Sequence, residues 1–110
     1  MRALWIFSMV VFAAMVAVTT WASLDANVLV GFQRVLAERW GVATLFDAYF
    51  GFLWFWLWIA YKEASPGRSL LWLVLLLALG NLAMAAYVMV QLARRKPGEG
   101  MEQLLLRRAP

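Results

Sequence analysis

The distribution of charged residues is the feature of this sequence that most restricts its fold. Two long stretches, residues 3–24 and 69–93, contain no charged side chain. About 20 consecutive apolar residues are enough to cross the hydrocarbon core of a bilayer, which is about 30 Å thick. Hydrophobic residues also make up 65% of the 110 residues, more than the roughly half that is typical of soluble domains. The pattern therefore predicts an all-α membrane protein.

Three transmembrane helices are predicted, at residues 3–22, 44–61 and 69–92, within one domain of residues 1–93. The first has Trp5 and Trp21 near its ends, where tryptophan favours the membrane–water interface. The uncharged run around it is longer than the core of a signal peptide, which has about 7–15 residues. We therefore interpret it as a transmembrane span.

Residues 26–40 predict an amphipathic helix that lies in the interface between the first and second spans. Apolar side chains recur there at helical spacing, and polar ones fall on the opposite side, among them Arg34 and Glu38. Such a helix is too polar to cross a bilayer and suits the interface. The alternative is that its apolar face packs on a protein partner.

The last segment, residues 94–110, predicts a basic and flexible C-terminal tail. With three spans, the first loop and the tail lie on one side of the membrane, and the N-terminus and second loop lie on the other. Seven of the ten Lys and Arg residues fall on the first of these sides (Arg34, Arg39, Arg94, Arg95, Lys96, Arg107 and Arg108). Because basic loops stay in the cytoplasm, this count predicts an external N-terminus and a cytoplasmic tail.

The chain lacks the residue types that most catalytic and metal sites need. It contains no Cys and no His, which excludes disulfides, thiolate nucleophiles, histidine bases and zinc sites built on these residues. We expect no enzyme activity, no metal and no dedicated cofactor. The net charge is +4, and the basic residues that produce it lie mostly beside apolar runs and in the tail. The expected partners are therefore lipid headgroups and not nucleic acid.

Asp47 is the one ionisable residue inside a predicted span. An intramembrane carboxylate is by default a candidate proton or cation site, or a partner for a cation on another subunit. However, Thr44 and Asp47 match a capping box, with Thr44 at the N-cap and Asp47 at the N3 position. The pattern favours a helix cap for Asp47.

The third span carries a predicted helix-packing stripe of Ala78, Asn81 and Ala85, with Gly80 beside it. Small residues let another helix approach closely, and a side-chain amide within the membrane favours a hydrogen-bonding partner. We expect this stripe to contact another helix of this chain or of a partner.

The second span is rich in aromatic residues, with Trp54, Trp56 and Trp58 at its centre. They are candidates for interfacial anchors, for the core, or for a groove that contacts a partner or holds a lipid, quinone or carotenoid. Contact with lipid or a partner is favoured over a dedicated ligand site.

The sequence resembles a family of small bacterial three-span integral membrane proteins of unknown function. The resemblance covers about residues 40–90 and is carried by the segments WGVATLFDAYFGF (residues 40–52), Trp58-Ile59, YKE (61–63) and LGNLA (79–83), with Tyr87. It implies the fold and a bacterial inner membrane location but no reaction, and it suggests that Asp47, Glu63, Gly80 and Asn81 belong to one shared design. The tail after Arg95 looks unlike the family.

Three functions remain as hypotheses. The first is a non-catalytic accessory subunit that packs on a larger membrane complex, with respiratory or photosynthetic complexes as candidates. The second is a small protein that binds a quinone, carotenoid or lipid through its tryptophan cluster. The third and weakest is an oligomeric transporter that uses Asp47.

Overall fold

The computed structural model describes residues 2–107. All regular secondary structure within this range is helical, as predicted. The six helices are α1 (Arg2–Asp25), α2 (Val28–Leu36), α3 (Arg39–Lys62), α4 (Pro66–Leu79), α5 (Asn81–Ala93) and α6 (Met101–Leu105). Within the described chain, the extensive helix contacts are those of α1 with α5, α3 with α4, α4 with α5, and α2 with α3.

Of the helices in the described range, α1 and α3 are long and apolar enough to cross a membrane. Each has 24 residues, which corresponds to a length of about 36 Å. The helix α3 begins at Arg39, earlier than the predicted start at residue 44, because the chain turns sharply at residues 37–38 and immediately resumes helical hydrogen bonding from Val42 N–H to Glu38 C=O (3.0 Å).

The predicted interfacial helix is shorter than expected. The helix α2 covers nine residues because its start and end are both fixed locally. Asn27 caps the start, where its Oδ1 accepts a hydrogen bond from Val30 N–H (2.9 Å). The turn at residues 37–38 ends it. The apolar side chains of α2 remain exposed, including Val28 at 79% and Leu29 at 73%.

The predicted third span is not one helix, and this part of the prediction is wrong. The chain folds back at Gly80, and α4 and α5 form a helical hairpin. Trp72 and Tyr87 demonstrate the reversal, since their ring centroids are 4.8 Å apart. In one straight helix, residues 15 positions apart would be about 22 Å apart along the axis.

Gly80 makes the reversal because only glycine fits its backbone and its surroundings. Its φ of +58° and ψ of −121° lie in a region of backbone conformation that residues with a Cβ atom rarely adopt. A Cβ at this position would lie 2.8 Å from Cζ of Phe52. The tip of the hairpin is therefore packed closely against the middle of α3.

The core of the molecule lies between α3 and the hairpin. It consists of Ile59, Leu76, Ala83 and Tyr87. Three aromatic rings surround Tyr87 in edge-to-face contact: Phe55 at 6.2 Å, Trp58 at 5.3 Å and Trp72 at 4.8 Å between centroids. Each such contact contributes about 0.5–1.5 kcal/mol beyond area burial, so Tyr87 is the central side chain that joins α5 to α3 and α4.

The tail differs from the flexible segment that the sequence predicts. Lys62 Nζ donates hydrogen bonds to the carbonyls of Gln103 (3.1 Å) and Leu106 (3.0 Å). Trp58 Nε1 donates to the carbonyl of Leu105 (2.8 Å), and Leu104 is buried. These donors satisfy carbonyls at the end of α6, where no helical partner exists, and so hold the tail against the end of α3.

This packing also corrects the basis of the predicted topology. The count of basic residues assumed that the tail and the second loop lie at opposite ends of the molecule. In the structure both lie at the end of α3 that contains Lys62, because the α4–α5 hairpin returns the chain to its starting end. The tail residue Arg108 lies outside the described residues.

Candidate functional site

The three tryptophans of the predicted ligand site point to different surroundings. Trp58 packs on Tyr87 and binds the tail. Trp56 Nε1 donates to the carbonyl of Ser69 (2.8 Å) at the start of α4. Trp54 faces outward and is 75% exposed. Because they differ in this way, the three residues do not form one binding site.

A shallow groove nevertheless lies on the outer side of α3. It has a volume of about 360 Å³ and is lined by Phe50, Leu53, Trp54, Trp56 and Leu57. The lining is almost entirely apolar, so the groove offers shape and no polar group for recognising a ligand.

Thr44 and Asp47 do not cap a helix, and the capping interpretation is wrong. Both lie inside α3, which begins at Arg39. The Thr44 hydroxyl donates to the carbonyl of Trp40 one turn earlier (2.8 Å). Asp47 is exposed on the helix surface and has no hydrogen bond or ion pair with any residue in the described range.

The predicted packing stripe on the third span is divided by the chain reversal. Gly80 and Ala85 are buried, whereas Ala78 and Asn81 are exposed. The prediction assumed one continuous helix, in which these residues would share a face. The break at Gly80 gives α4 and α5 different directions, so the four residues do not form one surface.

A polar cluster that the sequence did not indicate closes the open end of the hairpin. Glu63 follows α3 and is 8% exposed, although the sequence places it in a charged loop. Its Oε1 accepts a hydrogen bond from the fully buried Tyr87 hydroxyl (3.1 Å). Arg94 Nη1 lies 3.9 Å from the same oxygen. The resemblance of YKE and Tyr87 to the family was the only signal that linked Glu63 with Tyr87, and it did not extend to Arg94.

Two further polar side chains of the described residues are buried. Gln91 is 3% exposed, and its Nε2 has no hydrogen-bond partner among residues 2–107. Ser8 of α1 is also 3% exposed, which places a small polar side chain on the face that α1 presents to the rest of the molecule. Such groups favour one arrangement of packed helices, since each loses solvation when buried.

The chemistry of this cluster is that of an ionic clasp. The Glu63 carboxylate joins the end of α3 to Tyr87 in the middle of α5 and to Arg94 at the end of α5. A carboxylate that accepts a hydrogen bond and faces a guanidinium is well suited to fix the two ends of a hairpin. The Tyr87 hydroxyl is engaged by Glu63, so the arrangement supports a structural role.

Comparisons with known proteins give one match, to a family model. No curated protein and no solved structure matches the chain. A family model does match, over residues 3–108. This range confirms the resemblance seen in the sequence, and it includes the tail, which the sequence had set apart from the family. The chain belongs to the family described as "Protein of unknown function (DUF1475)".

Proposed function

We propose that this chain is a non-catalytic accessory subunit of a larger protein complex in the bacterial inner membrane. The observation that carries the proposal is the exposure of its long apolar helices. Only 6% of the most apolar 18-residue stretch of each of α1 and α3 is buried inside the chain. The core helix of a soluble protein would be mostly covered by its own chain. Lipid and partner proteins are the surroundings that suit so much apolar surface.

The lengths of the helices support a topology with two spans and a re-entrant hairpin. The helices α4 and α5 have 14 and 13 residues, or about 20 Å each, which is too short to cross a core of about 30 Å. The tip at Gly80 lies against Phe52, near the middle of α3. The hairpin would thus enter the membrane to about half its depth and return. A chain reversal at this depth is tolerated where protein buries it, and Gly80 is buried.

The connection between the two long helices supports opposite directions for them. Residues 26–38 join α1 to α3, and nine of them form α2. Even with its flanking residues extended, this connection reaches about 34 Å at most, and the turn at residues 37–38 shortens it further. Arg34 of α2 pairs with Asp25 at the end of α1 (2.9 Å), and the carbonyl oxygen of Val35 lies against Gly41 in the first turn of α3, so the end of α1 lies near the start of α3. Because α1 also packs along α5, which returns toward Lys62, Arg2 lies at the same end of the molecule as Lys62.

The basic residues then divide very unevenly between the two sides. Of the nine basic residues within residues 2–107, seven lie at the end that holds Lys62 and the tail: Arg2, Lys62, Arg68, Arg94, Arg95, Lys96 and Arg107. Only Arg34 and Arg39 lie at the other. By the positive-inside rule, we therefore propose that Arg2 and the tail face the cytoplasm. Basic residues at that surface would also attract anionic headgroups.

The absence of a catalytic arrangement around the buried polar cluster supports a non-catalytic role. Glu63, Tyr87 and Arg94 bind one another and stabilise the hairpin. Asp47, which a transporter would need to direct into a pathway, lies on the exposed surface of α3. The groove beside Trp54 and Trp56 is the observation that favours the second candidate, a protein that binds a quinone, carotenoid or lipid.

Gentle detergent extraction of native membranes, with an affinity tag after the last residue, tests the proposal. We expect the chain to elute within a large assembly that has stoichiometric partners, and respiratory and photosynthetic complexes are the first candidates to look for. Extraction in a harsh detergent is the control and should release the chain alone. Elution as a single chain in both detergents would contradict the accessory role. A bound chromophore or extractable quinone in that fraction would support the second candidate.

A further inference from the structure

One face of α3 has the residue spacing of a helix-packing seam, but none of the described helices packs on it. Trp40, Thr44, Asp47, Gly51 and Trp54 follow one another at alternating intervals of four and three residues. This spacing is that of the contact positions in left-handed helix pairs, which are the commonest geometry in membrane bundles. We call these five residues the α3 seam.

The exposure of the α3 seam shows that residues 2–107 do not cover it. All five residues are exposed, with Trp40 at 82% and Trp54 at 75%. Around a Cβ placed at Gly51 there is no atom within 4 Å, so a neighbouring backbone has room to approach. Further along the same face, Trp58 and Tyr61 are already engaged by the tail, which limits the free part to residues 40–54.

The position of Asp47 identifies the chemistry of the missing helix. Asp47 lies eight residues after Arg39 in a helix of 24 residues, which is about 5 Å from the middle of the span and about 10 Å inside the hydrocarbon. A carboxylate at this depth almost always faces protein or water and is paired. Here it lies at the centre of the exposed seam, with no partner in the described range.

We propose that the α3 seam binds a transmembrane helix of another protein, and that this helix carries a Lys or Arg opposite Asp47. The inference rests on the proposed membrane function and specifies the partner's chemistry. The aromatic residues at the two ends of the seam supply contact area, Gly51 permits close approach, and the carboxylate selects a cation.

A second copy of the chain does not meet these requirements. No Lys or Arg lies in residues 3–24, 40–61 or 69–93, so a second copy has no cation at the depth of Asp47. A symmetric parallel pairing of two α3 seams would place the two Asp47 carboxylates against each other, and like charges at close range disfavour such a contact.

Fluorescence energy transfer in liposomes tests the inference with defined probes. The chain has no Cys, so Ala37→Cys, at the exposed end of α2, provides one labelling site on the full-length protein. One probe is a labelled synthetic helix of about 20 leucine and alanine residues with a single central arginine, and the other has leucine at that position. We expect the arginine probe to bind about 3- to 30-fold more tightly, which corresponds to the range measured for polar contacts between membrane helices.

Three variants of the protein make the result specific to Asp47. Asp47→Asn should remove the preference for arginine, whereas Asp47→Glu should keep it. Asp25→Asn, at an exposed carboxylate paired with Arg34 outside the seam, is the matched control and should also keep it. Circular dichroism and size-exclusion profiles confirm that each variant is folded.

Several outcomes would overturn the inference. Equal binding of both probes would do so, as would a preference that survives in Asp47→Asn. Association between two labelled copies of the chain that depends on Asp47 would identify a second copy as the occupant instead. The extraction experiment is independent of these results. A stoichiometric complex without a preference for the arginine probe would overturn this inference alone, and a probe preference without any native complex would contradict the accessory function alone.

Discussion

Replacing Gly80 with alanine distinguishes a helical hairpin from a continuous third span, because the two arrangements predict different changes in stability. In a continuous helix, Gly→Ala raises stability by up to about 1 kcal/mol, because alanine is the better helix former. In the hairpin the same change should lower it. Holding a residue with a Cβ at φ +58° and ψ −121° costs about 1–3 kcal/mol. The two arrangements therefore predict opposite signs.

The contact with Phe52 adds a second cost. The new Cβ would lie 2.8 Å from Phe52 Cζ, and relieving such an overlap in a packed core costs about 1–3 kcal/mol. We expect Gly80→Ala to lower the free energy of unfolding by about 2–6 kcal/mol in total. The assay is unfolding in mixed micelles with increasing SDS, followed by circular dichroism and tryptophan fluorescence.

A double-mutant cycle divides the effect into its two parts. In a Phe52→Ala background the overlap is absent, so Gly80→Ala should cost only the backbone part, about 1–3 kcal/mol. Gly31→Ala is the matched control, because this residue lies in α2 with no atom within 4 Å of its new Cβ, and it should be neutral or slightly stabilising. If Gly80→Ala stabilises the protein as much as the control does, the hairpin is refuted.

Three further predictions concern the clasp, the tail and the topology. Tyr87→Phe removes the hydroxyl that donates to Glu63 and should lower the free energy of unfolding by about 1–3 kcal/mol, measured by the same SDS titration; an unchanged midpoint would contradict the clasp. Lys62→Met removes two hydrogen bonds to the tail and should speed proteolysis within residues 94–107 without changing helix content. Cleavage of the variant at the same rate as the unchanged protein would contradict the docked tail. Single cysteines at Ala64 and Pro97, both exposed, should be labelled from the same side of the membrane by an impermeant maleimide, whereas a three-span topology places them on opposite sides.

The sequence alone determined that the chain forms apolar helices, but it did not determine the path of residues 69–93. Charge-free runs predict apolar helices because an unpaired charge is costly in lipid, and this reasoning located α1. The apolar, aromatic-rich run that contains Asp47 located most of α3. The same reasoning took residues 69–92 as one span, since apolar content does not distinguish a straight helix from a hairpin. The single residue that decides this, Gly80, is tolerated in membrane helices in any case.

The candidate sites also depend partly on the sequence and partly on the tertiary structure. The sequence singled out Asp47 because of its residue type, but the start of α3 at Arg39, and not at residue 44, decides that it is exposed at mid-helix and does not cap. Glu63 and Arg94 lie far apart in sequence and become neighbours only because the hairpin returns. Periodicity reports which residues share a face of one helix. The pairing of residues from different helices depends on the direction of each helix, and at Gly80 the tertiary contact with Phe52 fixes that direction.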